Sequence, residues 1–570
     1  MKNKTLKTKR SMSLLLGLAM VLGSLTACGN TADAPSKESV KESTSAATAT
    51  SEASAETAVT EEDDMSETLT YKLAVHSASD QGDWNEYYCI KYIEEKFNVD
   101  IQVEMISSDV WDEKAALMFA SDSLPDFFIN SSVDVTTYGP QGYFLALEDY
   151  ISEEATPNIW KALEEVPGIR KASTELDGHI YALYGADLGI RERAKCRFYI
   201  NTAWAEEILG KQPETLDEFY EYLKGVKERD MDGDGDADNE IPLGGFYKDC
   251  PNEGNIMLAL LSAFGYTSLK VEGMEDGSVV YVPAEDNYKE FLRYMNVLYT
   301  EGLLDNEYFT QDADQFNAKD AQDLYGAFCW YSSGINHLEE EDFKQYDGIE
   351  PMTSAYNDEK IWPATEMTTL GKFIITKNCE NPERLMKIMD WCYSEDGYLT
   401  ILNGWEMDTN EEYPGYGYKK EWNDEHTELA IDFYGPDGVQ DPPEGYESYS
   451  SFRYAVIAPP YGYFPLYRNY SAVYTAPAQL WLTHNIVDYY ADYYHEGWSS
   501  KIKFSKEESD ELSLLETDIT AYKEEMETKM ITGELDIDAN WDSYLEGLDK
   551  RGLESMLEIY QTAFDRWNSN

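Results

Sequence analysis

Between residues 69 and 129 the spacing of apolar side chains changes period four times, and this limits the fold more than any other feature of the chain. Residues 69–75 alternate apolar and polar, as a half-buried strand does. Residues 85–97 place Ile90, Ile93 and Phe97 on one helical stripe. Residues 99–105 alternate strictly, 111–120 read as a second helix, and 125–129 form a short apolar run. Strand, helix, strand, helix, strand in so short a stretch predicts parallel βαβ units and a twisted α/β sheet. Farther on, residues 198–200 read as a strand, and 203–209 and 216–228 as helices. The second of these helices opens on a capping-box pattern, Thr215 to Glu218. Residues 291–299, 383–392, 512–530 and 552–567 also read as helices, and 371–376 as a return to a sheet. No repeat of fixed period is present.

The first residues are an address rather than a fold. Lys2, Lys4, Lys7, Lys9 and Arg10 precede an apolar run, residues 12–22, that is short for a membrane span. Leu25-Thr26-Ala27-Cys28 then resembles a bacterial lipobox, with Cys28 as the lipidated first residue after residues 1–27 are removed; a plain secretion signal is the other reading. Residues 28–68 are Ser, Thr, Ala and Glu with hardly a large apolar side chain. Such a segment cannot bury enough surface to offset its chain entropy and reads as a disordered tether. The folded region is expected over 69–570.

The formal charge of the 570 residues is −64. So acidic a chain repels nucleic acid and anionic lipid, which leaves a lipid anchor as the expected link to a membrane. Beyond Cys28 there are Cys89, Cys196, Cys250, Cys329, Cys379 and Cys392, with no CxxC pair; disulfides and buried thiols both remain open.

The sharpest local motif is Asp230, Asp232, Asp234, Asp236, Asp238 and Glu240, with Gly235 at the sixth position. Alternate carboxylates on a tight loop suit Ca²⁺, which takes six to eight hard oxygens. The full EF-hand pattern stops short, because Ile241 stands where the closing Glu belongs. Asp238 and Glu240 are expected to close the site instead, with Asp236 offering its backbone carbonyl. A structural Ca²⁺ is the expectation, and a solvated acidic turn is the alternative.

There is no GxSxG elbow, no HExxH and no phosphate-binding P-loop, and the six histidines are scattered. The aromatics say more. Of 44 Tyr and 13 Trp, several sit in polar, glycine-containing stretches: Trp84, Trp330, Tyr331, Trp405, Tyr461 and Tyr463. Flat rings beside polar groups suit the C–H faces of sugars, while core packing is the alternative for any one of them. Trp84 follows the first strand, where open α/β sheets bind ligands. Arg191, Arg193, Lys195 and Arg197 alternate, so an extended backbone would put them on one face. They would then either recognise an anionic group such as a uronate or pair with the surrounding acids.

These residues resemble the extracellular solute-binding lipoproteins of ABC importers, in the large carbohydrate-binding branch that includes alginate-oligosaccharide binders. The match is carried by the lipobox and tether, by residues 120–126, by residues 198–242 through the acidic loop, and by Met530–Gly533, Trp541, Gly552 and residues 560–566. The resemblance implies an α/β, two-lobed, periplasmic-binding-protein-like (type II) fold with a hinge and a helix-rich C-terminal part. The N-lobe would span about 69–200 plus a later returning segment, and the C-lobe about 201–370 plus the C-terminal helices. It also implies Ca²⁺ on the acidic loop, capture of an oligosaccharide between the lobes, and delivery to an importer permease at the outer face of the membrane. Trp84, Asn130, Arg197, Trp330, Tyr331 and Trp405 are the candidate ligand contacts. A secreted glycoside hydrolase and a peptide-binding lipoprotein of the same fold are the rival readings.

Overall fold

The computed structural model describes residues 65–569, apart from 78–81, 130, 167, 237, 335–339, 425–426, 447, 460–463 and 469. Cys28, Asn130, Tyr461, Tyr463 and nearly all of the tether lie outside the described residues. Among the described residues, no helix is long and apolar enough to cross a membrane.

The periodicities of the first sixty folded residues become a parallel sheet. Leu69–Ser77 pairs in parallel with Val99–Ser107 on one side and Phe127–Ile129 on the other. The helices Tyr88–Phe97 and Trp111–Ala120 make the two crossovers. The first buries Cys89, Ile90, Ile93 and Phe97 against the sheet, the stripe its spacing predicts. The sheet has six strands, in the order 467–468, 183–187, 368–375, 127–129, 69–77 and 99–107. The strand Thr368–Ile375 returns to it antiparallel to both neighbours.

A second sheet has four strands, in the order 346–348, 198–201, 325–329 and 241–243. It packs in its own core with Leu223, Phe291, Leu298 and the C-terminal helices Lys506–Ile531, Ile537–Asp549 and Leu553–Ser569. The first sheet shares a separate core with Trp84, Trp391, Trp405 and Phe452. Each sheet has buried clusters of its own, and the two sheets make two lobes. Phe198–Asn201, just before the boundary expected near residue 200, pairs with Tyr325–Cys329 in the second sheet. The chain crosses between the cores at 188–194, 364–367 and 474–476.

The capping box at Thr215 forms only in half. The Thr215 hydroxyl accepts from the Glu218 N–H at 3.2 Å, but the Glu218 carboxylate accepts from the Glu214 N–H at 2.9 Å, one residue before the cap. The six internal cysteines are free thiols. Cores of this size need no disulfide staple.

Candidate functional site

Strand direction locates the lobe boundary. Asp187 ends a strand of the first sheet, and the chain enters the second sheet eleven residues later at Phe198. Tyr325–Cys329 runs antiparallel to Phe198–Asn201, so its C-terminal end returns to the same edge. Arg197, Trp330 and Tyr331 therefore meet at the boundary. The Trp330 N–H donates to the Arg197 carbonyl at 3.1 Å, and Arg197 Nη1 donates to the Tyr331 carbonyl at 2.7 Å. Tyr331 is 40% exposed, while Trp330 is buried with one edge against Phe246. Among the described residues, three buried polar atoms here have no hydrogen-bond partner: Arg197 Nε, Trp330 Nε1 and Ser333 Oγ. An orphaned buried donor is destabilising by about 1–3 kcal/mol.

Trp84 and Trp405 do not line this boundary. Trp84 is fully buried, its ring stacked 5.6 Å from Phe464. Asp83 caps a short 3₁₀ turn at Trp84–Glu86, and that turn drops the indole into the core rather than toward a ligand. Trp405 is also buried, stacked on Tyr413 with its Nε1–H donated to the Tyr416 carbonyl at 3.0 Å. Both are core tryptophans of the first lobe.

The basic run is not an extended ladder. Ile190–Arg193 forms one 3₁₀ turn, which sends its side chains in different directions. Arg191 lies 4.5 Å over the Tyr474 ring and donates to Gln479 Oε1 at 2.8 Å and Thr483 Oγ1 at 3.4 Å. Arg193 pairs with Glu496 and lies over the Tyr494 ring. These guanidiniums brace the first crossing against the second lobe.

Beside that crossing stands a buried pair that the sequence did not single out. Arg468 is 2% exposed and holds Asp187 by two hydrogen bonds of 2.8 Å. It clamps strand Tyr467–Arg468 to strand Leu183–Asp187 at the edge of the sheet. A Cβ on Gly189 would stand 2.2 Å from Arg468 Nη2, so only glycine lets the crossing pass over the clamp.

The acidic loop joins helix Leu216–Lys227 to strand Ile241–Leu243. Gly233 and Gly235 take φ of 78° and 97°, which bends the loop into a ring. Asp230, Asp232 and Asp234 each bring a carboxylate oxygen within 4.8 Å of the others. Asp230 accepts from the Gly233 and Gly235 N–H groups at 2.8 and 3.0 Å. The Asp236 side chain accepts from the Asp238 N–H at 3.2 Å. Asp238 is exposed, whereas Glu240 is buried; its Oε1 accepts from the Met231 N–H and its Oε2 has no partner. Asn239 Oδ1 is a second buried acceptor without a partner among the described residues. Converging carboxylates and unsatisfied acceptors on one ring fit a hard cation.

Residues 89–406, more than half of the chain, match the family model described as bacterial extracellular solute-binding protein. The chain belongs to that family. This solute-binding protein is 25% identical over 500 residues to the fructooligosaccharide ABC transporter substrate-binding protein FusA of Streptococcus pneumoniae, a match covering 86% of this chain and 88% of the relative. It is 23% identical over 331 residues to the polygalacturonan/rhamnogalacturonan-binding protein YtcQ of Bacillus subtilis, covering 55% of this chain and 62% of that one. Among solved structures, FusA in complex with kestose superposes with a TM-score of 0.68 at 24% identity, covering 88% of this chain and all of that one. An HMO-binding solute-binding protein from Bifidobacterium longum infantis gives 0.71 at 19% identity, covering 87% and 99%. These neighbours confirm the two-lobed α/β fold. The family is one of binding proteins rather than enzymes, which sets the hydrolase reading aside.

Proposed function

We propose that this solute-binding protein captures an oligosaccharide at the lobe boundary and presents it to an ABC importer, held at the outer membrane face by a lipid on Cys28. The observation that carries the reading is the group of polar atoms at Arg197, Trp330 and Ser333 that have no partner among the described residues, next to the exposed ring of Tyr331, where the two lobes meet. Aromatic faces with unspent donors suit a hydroxylated ring. Arg191 and Arg193 are committed to protein partners, which favours a neutral sugar over a uronate. The curated relatives named above bind oligo- and polysaccharides by name. Lobe closure about the three crossings works by binding the ligand more tightly in the closed state than in the open one.

A structural Ca²⁺ on the acidic loop completes the reading. Asp230, Asp232 and Asp234 supply carboxylates, and Asn239 Oδ1 and Glu240 Oε2 are the acceptors left to close the shell. The ion would neutralise a ring of like charges and fix the end of helix Leu216–Lys227.

Calorimetric titration of the purified protein with neutral oligosaccharides, uronate oligosaccharides and peptides tests the function. Saturable binding of a neutral oligosaccharide, recovered chemically unchanged, is the expected result. Binding confined to peptides would overturn the reading. Labelling with radioactive palmitate, lost in Cys28→Ala, tests the anchor.

A further inference from the structure

The turn Arg453–Ile457 is a π-helix, a rare conformation that occurs mostly at functional sites. It lies against the chain that follows strand Leu69–Ser77. The Gly82 N–H and the Tyr87 hydroxyl both donate to the Tyr454 carbonyl, at 3.3 and 2.8 Å. A Cβ on Gly82 would stand 2.9 Å from the Ala455 carbonyl oxygen, so the contact admits no side chain. The π-turn thus sits at the C-terminal end of a parallel strand, where open α/β sheets receive ligands.

Behind the turn is a pocket of about 270 Å³ lined by Tyr449, Tyr454, Tyr470, Tyr474, Arg191 and Gln479. Among the described residues, Tyr449 Oη and Tyr470 Oη are buried without a hydrogen-bond partner, and Arg191 Nε stands 3.7 Å from a Glu192 carboxylate oxygen. Burial pushes both phenols well above their ordinary pKa, so at neutral pH each is a protonated donor and acceptor. The cations are already engaged: Arg191 through Gln479 and Thr483, Arg453 through the Leu402 carbonyl at 2.7 Å. Glu192 also faces the pocket, so the lining offers no net anion trap. Phenol rings, unspent hydroxyls and a volume on the scale of one hexose ring suit a single sugar unit.

We propose that this side pocket receives a single neutral sugar ring at one end of the bound ligand, with Tyr449 and Tyr470 as its recognition groups. The proposal rests on the oligosaccharide reading and adds an end-specific subsite to it. Because Arg191 lies on the first crossing and grips helix Pro477–Val487, the subsite stands on the hinge itself.

The test uses Tyr449→Phe and Tyr470→Phe, each of which deletes a hydroxyl that has no partner and should leave the melting temperature unchanged. The probes are kestose, xylotriose and mannotriose, titrated calorimetrically into wild type and variants. For the trisaccharide that wild type binds, each variant is expected to weaken Kd about tenfold. Unchanged Kd in both folded variants would overturn the subsite and leave the oligosaccharide reading standing, since wild type still binds. Failure of wild type to bind any of a broad series of neutral oligosaccharides would overturn both.

Discussion

The Asp187–Arg468 clamp and the acidic loop of residues 230–240 answer the same problem in opposite ways. Both gather carboxylates in a chain of formal charge −64. At the clamp the countercharge is part of the protein, buried and bidentate, and it joins strands 281 residues apart. In the loop six acids crowd one short segment, and among the described residues no Lys or Arg pairs with Asp230, Asp232 or Asp234. The loop must take its countercharge from solution. A buried pair fixes geometry whatever the medium holds; a loop of like charges makes stability depend on an ion.

Breaking the clamp should give the largest effect. Arg468→Met leaves the buried Asp187 carboxylate without its guanidinium, which should be destabilising by about 3–5 kcal/mol in urea unfolding. A loss below about 1 kcal/mol would mean the pair is dispensable. Second, Ca²⁺ at a hundred times its dissociation constant should stabilise wild type by about 2.7 kcal/mol, and chelation should remove the gain. Asp230→Ala should abolish the Ca²⁺ response and leave Arg468 unaffected. If chelation of a metal-loaded preparation leaves the melting temperature where it was, the loop is only a solvated turn.

The contrast extends to cations. Burial, with Lys503 and Lys501 adding like charge, lowers the Lys372 pKa from 10.5 to about 8. The folded chain therefore resists a proton that the unfolded chain holds. That penalty is full below about pH 8 and fades as the pH rises toward the unfolded value. Lys372→Met should be more stable than wild type at pH 7, by about 1 kcal/mol or more, with the difference shrinking toward pH 10. A constant difference across that range would remove the proton from the explanation. The smallest effect belongs to Arg193→Gln. Its partner Glu496 is half exposed, so the loss should stay within about 1 kcal/mol and decline further in high salt.

The short-range features were legible before any coordinates. The period switches of residues 69–129 marked strands and helices that form nearly where expected, because each is set by side chains a few positions apart. The acidic ring was legible for the same reason, since its bends and carboxylates all lie in eleven residues. The return to a sheet expected over 371–376 is the strand Thr368–Ile375, and only the structure shows which sheet it joins.

What failed was whatever depended on remote partners. Trp84 and Trp330 sit in similar polar stretches and both are buried, but Trp330 lies against the exposed ring of Tyr331 while Trp84 is stacked on Phe464. Arg191 and Arg197 looked alike in sequence, and a 3₁₀ turn gave them different neighbours. Arg468 and Asp187 carried no local pattern, and neither did the tyrosines at 449, 454, 470 and 474. The sequence alone determined the elements, the parallel order of the first strands and the ring of acids, since these rest on local spacing. Tertiary structure decided which rings are core and which charges are answered, since burial is settled by segments hundreds of residues apart meeting in space.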